Sequence, residues 1–541
     1  MKLIFPKERF FERFRILTLI FGLIVSCQFQ QCTTKKVSRE LTEVENAKNL
    51  NPGREYLKLH MKNGELYVLS KWRVDESIRF IEGTGTHLDQ NRKPISKKQV
   101  EVYSAYPNSS QNLQKFRIPY DDIVIVETND RGRNPGVAAM VVTSVLTVPV
   151  AISCIINPKS CFGSCPTFYV QNNEGEKLVA EGFSSSISRS LEERDVDRFD
   201  FSFDSRPVEI TMKNEALETH MIKSLNLLIC DKAPENMVYE ARNARFFEVN
   251  RLAAPQKAVH DTTSILEELA NLDEKEWYSL ADSKNLASKE EILLEFDSFQ
   301  GINGLIIDKR QSLMTTYLFY QMLAFSGNTT SYLISAMETN KPKYQKRISK
   351  MYELLGGIEV AIKDDKGNWN IVEEITESGP IASDSRLIPL PKVNSEKLQI
   401  RLRLTKGLWR INMVNLASIQ GEVIPQRVQP DKVLTGNNLD EFSLSKINDT
   451  TQYLVTYPGD EFRISFPVES SSNQQYFLES QGYYIEWMRE EWLKEENYAK
   501  MKWSMLFPSS FLKKTASMYK QNEIEMEEIF WSSKYANIGK Q

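Results

Sequence analysis

The stretch from Cys161 to Val170, Cys-Phe-Gly-Ser-Cys-Pro-Thr-Phe-Tyr-Val, holds two of the chain's six cysteines, and Cys154 lies just before it. Thiols so placed can form disulfides, bind a metal as thiolates, or cycle as a redox pair. Zinc needs a second ligand pair beside the Cys-x3-Cys, yet the four histidines are scattered at positions 60, 87, 220 and 260, so no metal ligand set is assigned. A redox couple would want Cys-x-x-Cys spacing in a βαβ setting, and neither is present. Glu218 and His220 stand two residues apart on a strand-like segment, so they share one face and could bind a metal or exchange a proton. A cross-strand polar pair is the simpler reading of that spacing. No Gly-x-Ser-x-Gly elbow, His-Glu-x-x-His helix or Walker loop occurs, so no catalytic residue and no cofactor is implied. The run Gly83-Thr-Gly-Thr-His-Leu-Asp89 lacks the third glycine of a dinucleotide loop, and Pro94 follows soon after. It is expected to be a surface turn.

These residues must be carried by a body whose compartment the amino terminus suggests. Lys2, Lys7, Arg9, Arg13 and Arg15 lead into the uncharged run Ile16 to Val25, the basic and apolar regions of a signal peptide, too short to span a bilayer comfortably. The run ends Ile24-Val25-Ser26-Cys27. This resembles the lipobox of bacterial lipoproteins, which implies cleavage before Cys27, diacylation of Cys27 and stable anchoring by its acyl chains. Gln28 follows instead of the Asp that retains enteric lipoproteins in the inner membrane. An outer membrane, facing the periplasm rather than the cell surface, is therefore expected. In an oxidising compartment disulfides become the default for Cys154, Cys161, Cys165 and Cys230, with three possible connectivities.

At 541 residues the chain is too long for a single core, and several domains are expected. Its net charge of -4, from 68 basic and 72 acidic residues without a long block of either sign, argues against a nucleic-acid partner. Residues 27–52 are polar and charged, suiting a lipidated tether. A small β domain is expected over 53–130, with an Asn63-Gly64 turn between Tyr56–His60 and Leu66–Leu69. The segment 131–160 contains twenty uncharged residues from Val137 to Ile156, long enough to span a membrane. Placing the flanking domains on opposite sides would be awkward for a lipid-anchored chain, so a buried or membrane-resting segment is preferred.

A β-rich module is expected over 161–285, beginning at the cysteine stretch, with a helix starting within Ser184 to Leu191. Cys165-Pro-Thr-Phe-Tyr169, Glu181-Gly-Phe-Ser-Ser-Ser-Ile187 and Asn214-Glu-Ala-Leu-Glu-Thr219 resemble a module of uncharacterised secreted bacterial proteins. That resemblance covers about a sixth of the chain and implies a setting, not an activity. Over 286–425, alternating strands with a helical insertion near Leu313 to Phe325, closing on Leu398–Leu404 and Leu408–Val414, resemble the galactose-binding-like jelly rolls. Trp369 and Trp409 would then be the residues to stack on a glycan. A hairpin region follows over 426–480, turning at Pro458-Gly-Asp460, and then a helical tail over 481–541, with Tyr484, Met488 and Trp492 on one docking face.

The fold class expected is mainly β with helical insertions, multidomain and β-sandwich or jelly-roll-like, with a helical C-terminal tail. The function expected is that of a lipid-anchored, non-enzymatic structural or accessory protein of a bacterial envelope that binds an envelope protein partner. Glycan binding through the jelly-roll-like domain is the alternative. An envelope hydrolase with carboxylates in a cleft is the second, since the separation that glycoside hydrolysis requires is set by the fold.

Overall fold

The computed structural model describes residues 35–51, 56–95, 114–133, 165–172, 175–199, 207–273, 275–330, 333, 342–376, 379–393, 395–468, 471–487 and 495–533. Cys27, Cys154, Cys161, the run 137–156, Met488 and Trp492 lie outside them. The protein is mainly β, with several antiparallel sheets, a few helices, and helices at the C-terminal end. Among the described residues no helix is long and apolar enough to cross a membrane.

The first sheet runs in the order Lys35–Thr42, Ile123–Arg133, Tyr56–Met61, Leu66–Asp75, Phe80–Leu88, Gln114–Pro119. Its central hairpin turns where Gly64 adopts φ 82°, a conformation open to glycine at no steric cost, as the Asn-Gly pair predicts. Two expectations change here. Residues from Lys35 onward belong to the sheet rather than to a tether, because Val44, Ala47 and Leu50, three apart on a 3-10 turn, cover its apolar face. The run from Gly83 is strand, not a surface turn. Ile81, Gly83 and Gly85 are buried on one face and Leu88 on the other, and a Cβ on Gly85 would sit 2.0 Å from the Val68 carbonyl oxygen, so glycine permits a close backbone approach.

A sandwich follows. One sheet orders Asn438–Leu439, Lys432–Thr435, Glu461–Phe466, Val208–Lys213, Thr167–Asn172 and Gly175–Glu181; the facing sheet orders Gln426–Val428, Glu218–Asp231, Gln474–Glu486 and Glu193–Arg198. Phe168, Ile210, Met212, Ile222, Leu227, Ile464 and Leu478 fill the space between. Strands from 161–285 and 426–480 thus pair with one another, and the intervening chain is an insertion. Leu454–Thr456 and Glu461–Phe466 do not form the expected hairpin. The first pairs with Glu218–Asp231 and the second with Val208–Lys213, so Pro458-Gly459-Asp460 carries the chain across the sandwich. Tyr484 lies on the Gln474–Glu486 strand, not on a helix. Both faces of that strand are buried, with Tyr484 in the sandwich core and Tyr483 and Ile485 packed on the other side.

The remaining sheets enclose the largest core. One contains Met237–Ala241, Arg245–Ala253, Ile302–Gln311, Asp384–Pro389 and Trp409–Val423, with Trp277–Tyr278 at its edge; the other contains Thr263–Ser264, Lys257–His260, Lys289–Asp297, Lys397–Thr405, Ile358–Lys363 and Trp369–Ile375. Along Ile302–Gln311, Leu305 and Ile307 face this core while Ile306 faces a second cluster with Leu387 and Met413, the period of two expected of a strand. Helices Met314–Ser326, Pro342–Leu355, Tyr498–Leu506 and Pro508–Ser533 contribute Leu318, Met351, Met501 and Leu512 to the same core.

Candidate functional site

Pairing of Thr167–Asn172 with Gly175–Glu181 sets Thr167 opposite Glu181, which brings Cys165, two residues earlier, against the Glu181 carboxyl. The Cys165 thiol donates to Glu181 Oε1 at 3.5 Å. Across the junction, the backbone N–H groups of Ile381 and Ala382 donate to Glu181 Oε2 at 2.8 and 3.3 Å. Gly379 completes the clasp, since a Cβ there would lie 2.2 Å from Glu181 Oε2. Burial raises the Glu181 carboxyl from 4.5 to about 7, against the lowering by those backbone donors. Burial, and next the Glu181 and Glu218 charges, push the Cys165 thiol well above its ordinary value. The thiol is therefore held protonated, which suits a hydrogen-bond donor and not a nucleophile.

Glu218 and His220 do share a strand face, and they bond directly, Oε1 to Nε2 at 3.0 Å, with side chains 0% and 1% exposed. The cross-strand neighbour of His220 is Tyr484, whose ring meets the imidazole edge-on at 6.5 Å and whose hydroxyl donates to the Ser184 carbonyl at 2.9 Å. Glu486, opposite Glu218, accepts from the Tyr320 hydroxyl at 2.6 Å. The Ser184 to Leu191 segment is a turn with a short 3-10 stretch, not a helix. The Ser186 carbonyl accepts from the Tyr484 N–H at 2.9 Å, which ties the segment to the neighbouring strand. The three segments read separately in the sequence, around Cys165, Glu181 and Glu218, thus surround one place.

A cavity of about 230 Å³ opens there, between the sandwich and the helix-bearing half. The sandwich supplies Cys165, Glu181, Ser184, Ser185, Ile187, Glu193 and Tyr484; the other half supplies Gln311, Thr315, Thr316, Phe319, Tyr320, Tyr352 and the Gly379–Pro380 turn. Four of these, Thr315, Thr316, Phe319 and Tyr320, lie on one face of Met314–Ser326, as a repeat of 3.6 dictates.

No protein-family model and no curated protein matches this chain. The site is therefore read from its own chemistry. Among the described residues no group of three His, Cys, Asp or Glu could hold a metal ion. Among the described residues Cys165 and Cys230 are free and buried, so no bridge joins these two, and bridges through Cys154 or Cys161 fall outside the described residues. Each sits in a different cluster, Cys165 in the sandwich core and Cys230 beyond it with Leu228, Val238 and Phe477.

Of the two residues expected to stack on a glycan, only Trp369 keeps exposed surface. Trp409 is 1% exposed in the large core. Trp369 is half-buried on an edge strand, with Arg401 and Lys363 over its ring at 5.1 and 5.8 Å. The sequence assigns no chemical role to Glu181 or Thr316, and it puts Tyr484 on a helical docking face instead of in this site. The available signal was Glu181 itself, a single acid closing the apolar run Leu178-Val-Ala180.

A second buried polar group joins the first sheet to the sandwich. Glu127 accepts from Lys58 at 3.0 Å and bonds His60 at 3.2 Å, and the His60 ring stacks on Trp487 at 3.9 Å. Burial lowers His60 from 6.5 to about 4. Tyr483 donates to Asn91 at 3.1 Å across the same boundary.

Proposed function

We propose that this protein is a lipid-anchored structural or accessory component of a bacterial cell envelope, outer-membrane-bound and facing the periplasm, acting without catalysis on an envelope protein partner. The observation that carries the reading is Ile24-Val25-Ser26-Cys27 behind a basic and then apolar leader. Acylation at Cys27 would hold the β body at the membrane surface.

The chemistry of the central junction supports the non-catalytic part. Glu181 and Glu193 both line the cavity, the pair of carboxyls that a hydrolase reading needs. However, the Glu181 oxygens already accept three hydrogen bonds, two from backbone N–H groups and one from Cys165. That carboxyl fastens two parts of the fold together. Replacing Cys27 by serine tests the anchoring: the wild-type chain should take up a labelled fatty acid and fractionate with membranes, and Cys27→Ser should do neither. Undiminished labelling of the variant would refute it.

A further inference from the structure

The cavity itself has a chemistry that the anchoring reading does not use. Among the described residues its lining contains no Lys, Arg or His to neutralise an anion, and the carboxyls of Glu181 and Glu193 oppose one. A compact cation is poorly served as well. The Glu181 oxygens are taken up by three donors, and Glu193 accepts from the Ser185 hydroxyl at 3.3 Å. The remaining groups are hydroxyls and an amide, which both donate and accept. Thr315 donates to Gln311 Oε1 at 2.8 Å, which directs the Gln311 amide to act as a donor. Phe319 and Tyr352 add aromatic surface. Hydroxyl, amide and aromatic groups around one concave space match a ring that carries many hydroxyls on one edge and C–H bonds on its face.

Size narrows the choice. The cavity's volume of about 230 Å³ lies below the roughly 300–1,000 Å³ of pockets that enclose drug-sized ligands. One ring fits and a chain of rings would have to protrude. The position between two packed units is where small-molecule sites commonly form.

We propose that this cavity binds a single neutral sugar ring, either a free monosaccharide or the terminal residue of a glycan. The site is distinct from Trp369 and Trp409, and it stands whether or not Cys27 is acylated. Gln311 and the threonine hydroxyls of the Met314–Ser326 helix bond the ring hydroxyls, and Phe319 and Tyr352 cover its apolar face.

The test is saturation-transfer NMR with titration calorimetry on the detergent-solubilised full chain. The probes are glucose, galactose, mannose and N-acetylglucosamine, two of their linear trisaccharides, choline and inorganic phosphate. At least one neutral sugar is expected to bind at millimolar or tighter concentration, with choline and phosphate inert. Equal affinity for ring and trisaccharide identifies a free sugar, and at least about tenfold tighter trisaccharide binding identifies a glycan end. Thr316→Phe, which fills the cavity, should weaken binding at least about tenfold, and Tyr352→Ala should weaken it measurably without filling anything. Trp369→Ala should leave it unchanged. The proposal is overturned if no sugar binds, if phosphate or choline binds in its place, or if a Thr316→Phe or Tyr352→Ala variant with a wild-type melting curve binds as well as wild type.

Discussion

Glu181 and His60 are both buried and titrate in opposite senses. The Glu181 carboxyl rises from 4.5 to about 7 in the fold, chiefly by burial. Between those values the folded chain keeps a proton that the unfolded chain releases, so stability falls as pH rises through that window. The size is on the order of 3 kcal/mol. Glu181→Gln, which keeps an acceptor for Ile381 and Ala382 but cannot ionise, should gain about that much relative to wild type between about pH 5 and about pH 8 in urea unfolding. A constant difference across that range would show that Glu181 does not titrate there.

His60 is lowered from 6.5 to about 4 by burial. Here the unfolded chain binds a proton first as pH falls, and stability is lost from about pH 6.5 towards pH 4, again by about 3 kcal/mol. His60→Phe keeps a ring against Trp487 and removes that proton site, so its unfolding should show the smaller acid dependence of the two. An equal acid loss in both proteins would place the titration elsewhere.

Elements were legible where one face is wet. Lys397–Thr405 alternates between buried and exposed positions over much of its length, and that pattern is visible in Leu398-Gln-Ile-Arg-Leu-Arg-Leu404. The Asn63-Gly64 turn and the Met314–Ser326 helix were legible for similarly local reasons. Gln474–Glu486 was not: nearly every residue is buried, so no alternation marks it, and Tyr484 was drawn into a false helical spacing. Gly83 and Gly85 misled because their role is a close approach to Val68 and Leu69, partners on another strand.

The C-terminal helix Pro508–Ser533 is a structural part of the large core. Its Glu523 accepts from the Ala281 N–H at 2.9 Å, and its Glu527 accepts from the Leu313 N–H at 2.8 Å at the start of the Met314–Ser326 helix. Leu512 is fully buried there. Leu512→Ala should cost about 2–5 kcal/mol by denaturant unfolding, whereas a helix merely laid on the surface would lose well under 1 kcal/mol.

At the scale of the whole molecule, sequence order is a poor guide to what packs together. The central sandwich needs Thr167–Asn172 and Glu461–Phe466 in one sheet, and Glu218–Asp231 and Gln474–Glu486 in the other, across an insertion of about two hundred residues. Long-range pairing of this kind leaves no local trace, and it tolerates so long an insertion because loop closure grows costly only slowly with length. The same distance hid the cavity, whose walls come from strands near Cys165 and from a helix 150 positions later. In the chain these residues stand in three separate segments, and only the fold makes Cys165, Glu181 and Glu218 neighbours.

The proposed membrane anchoring rests on one residue, Cys27, and the most direct test reads that residue itself. Protein purified from the membrane fraction should yield, by mass spectrometry, an N-terminal peptide that begins at Cys27 and carries a diacylglyceryl group with or without an amide-linked acyl chain. A membrane-purified chain that still begins at Met1, or that begins at another residue without lipid, would contradict the account.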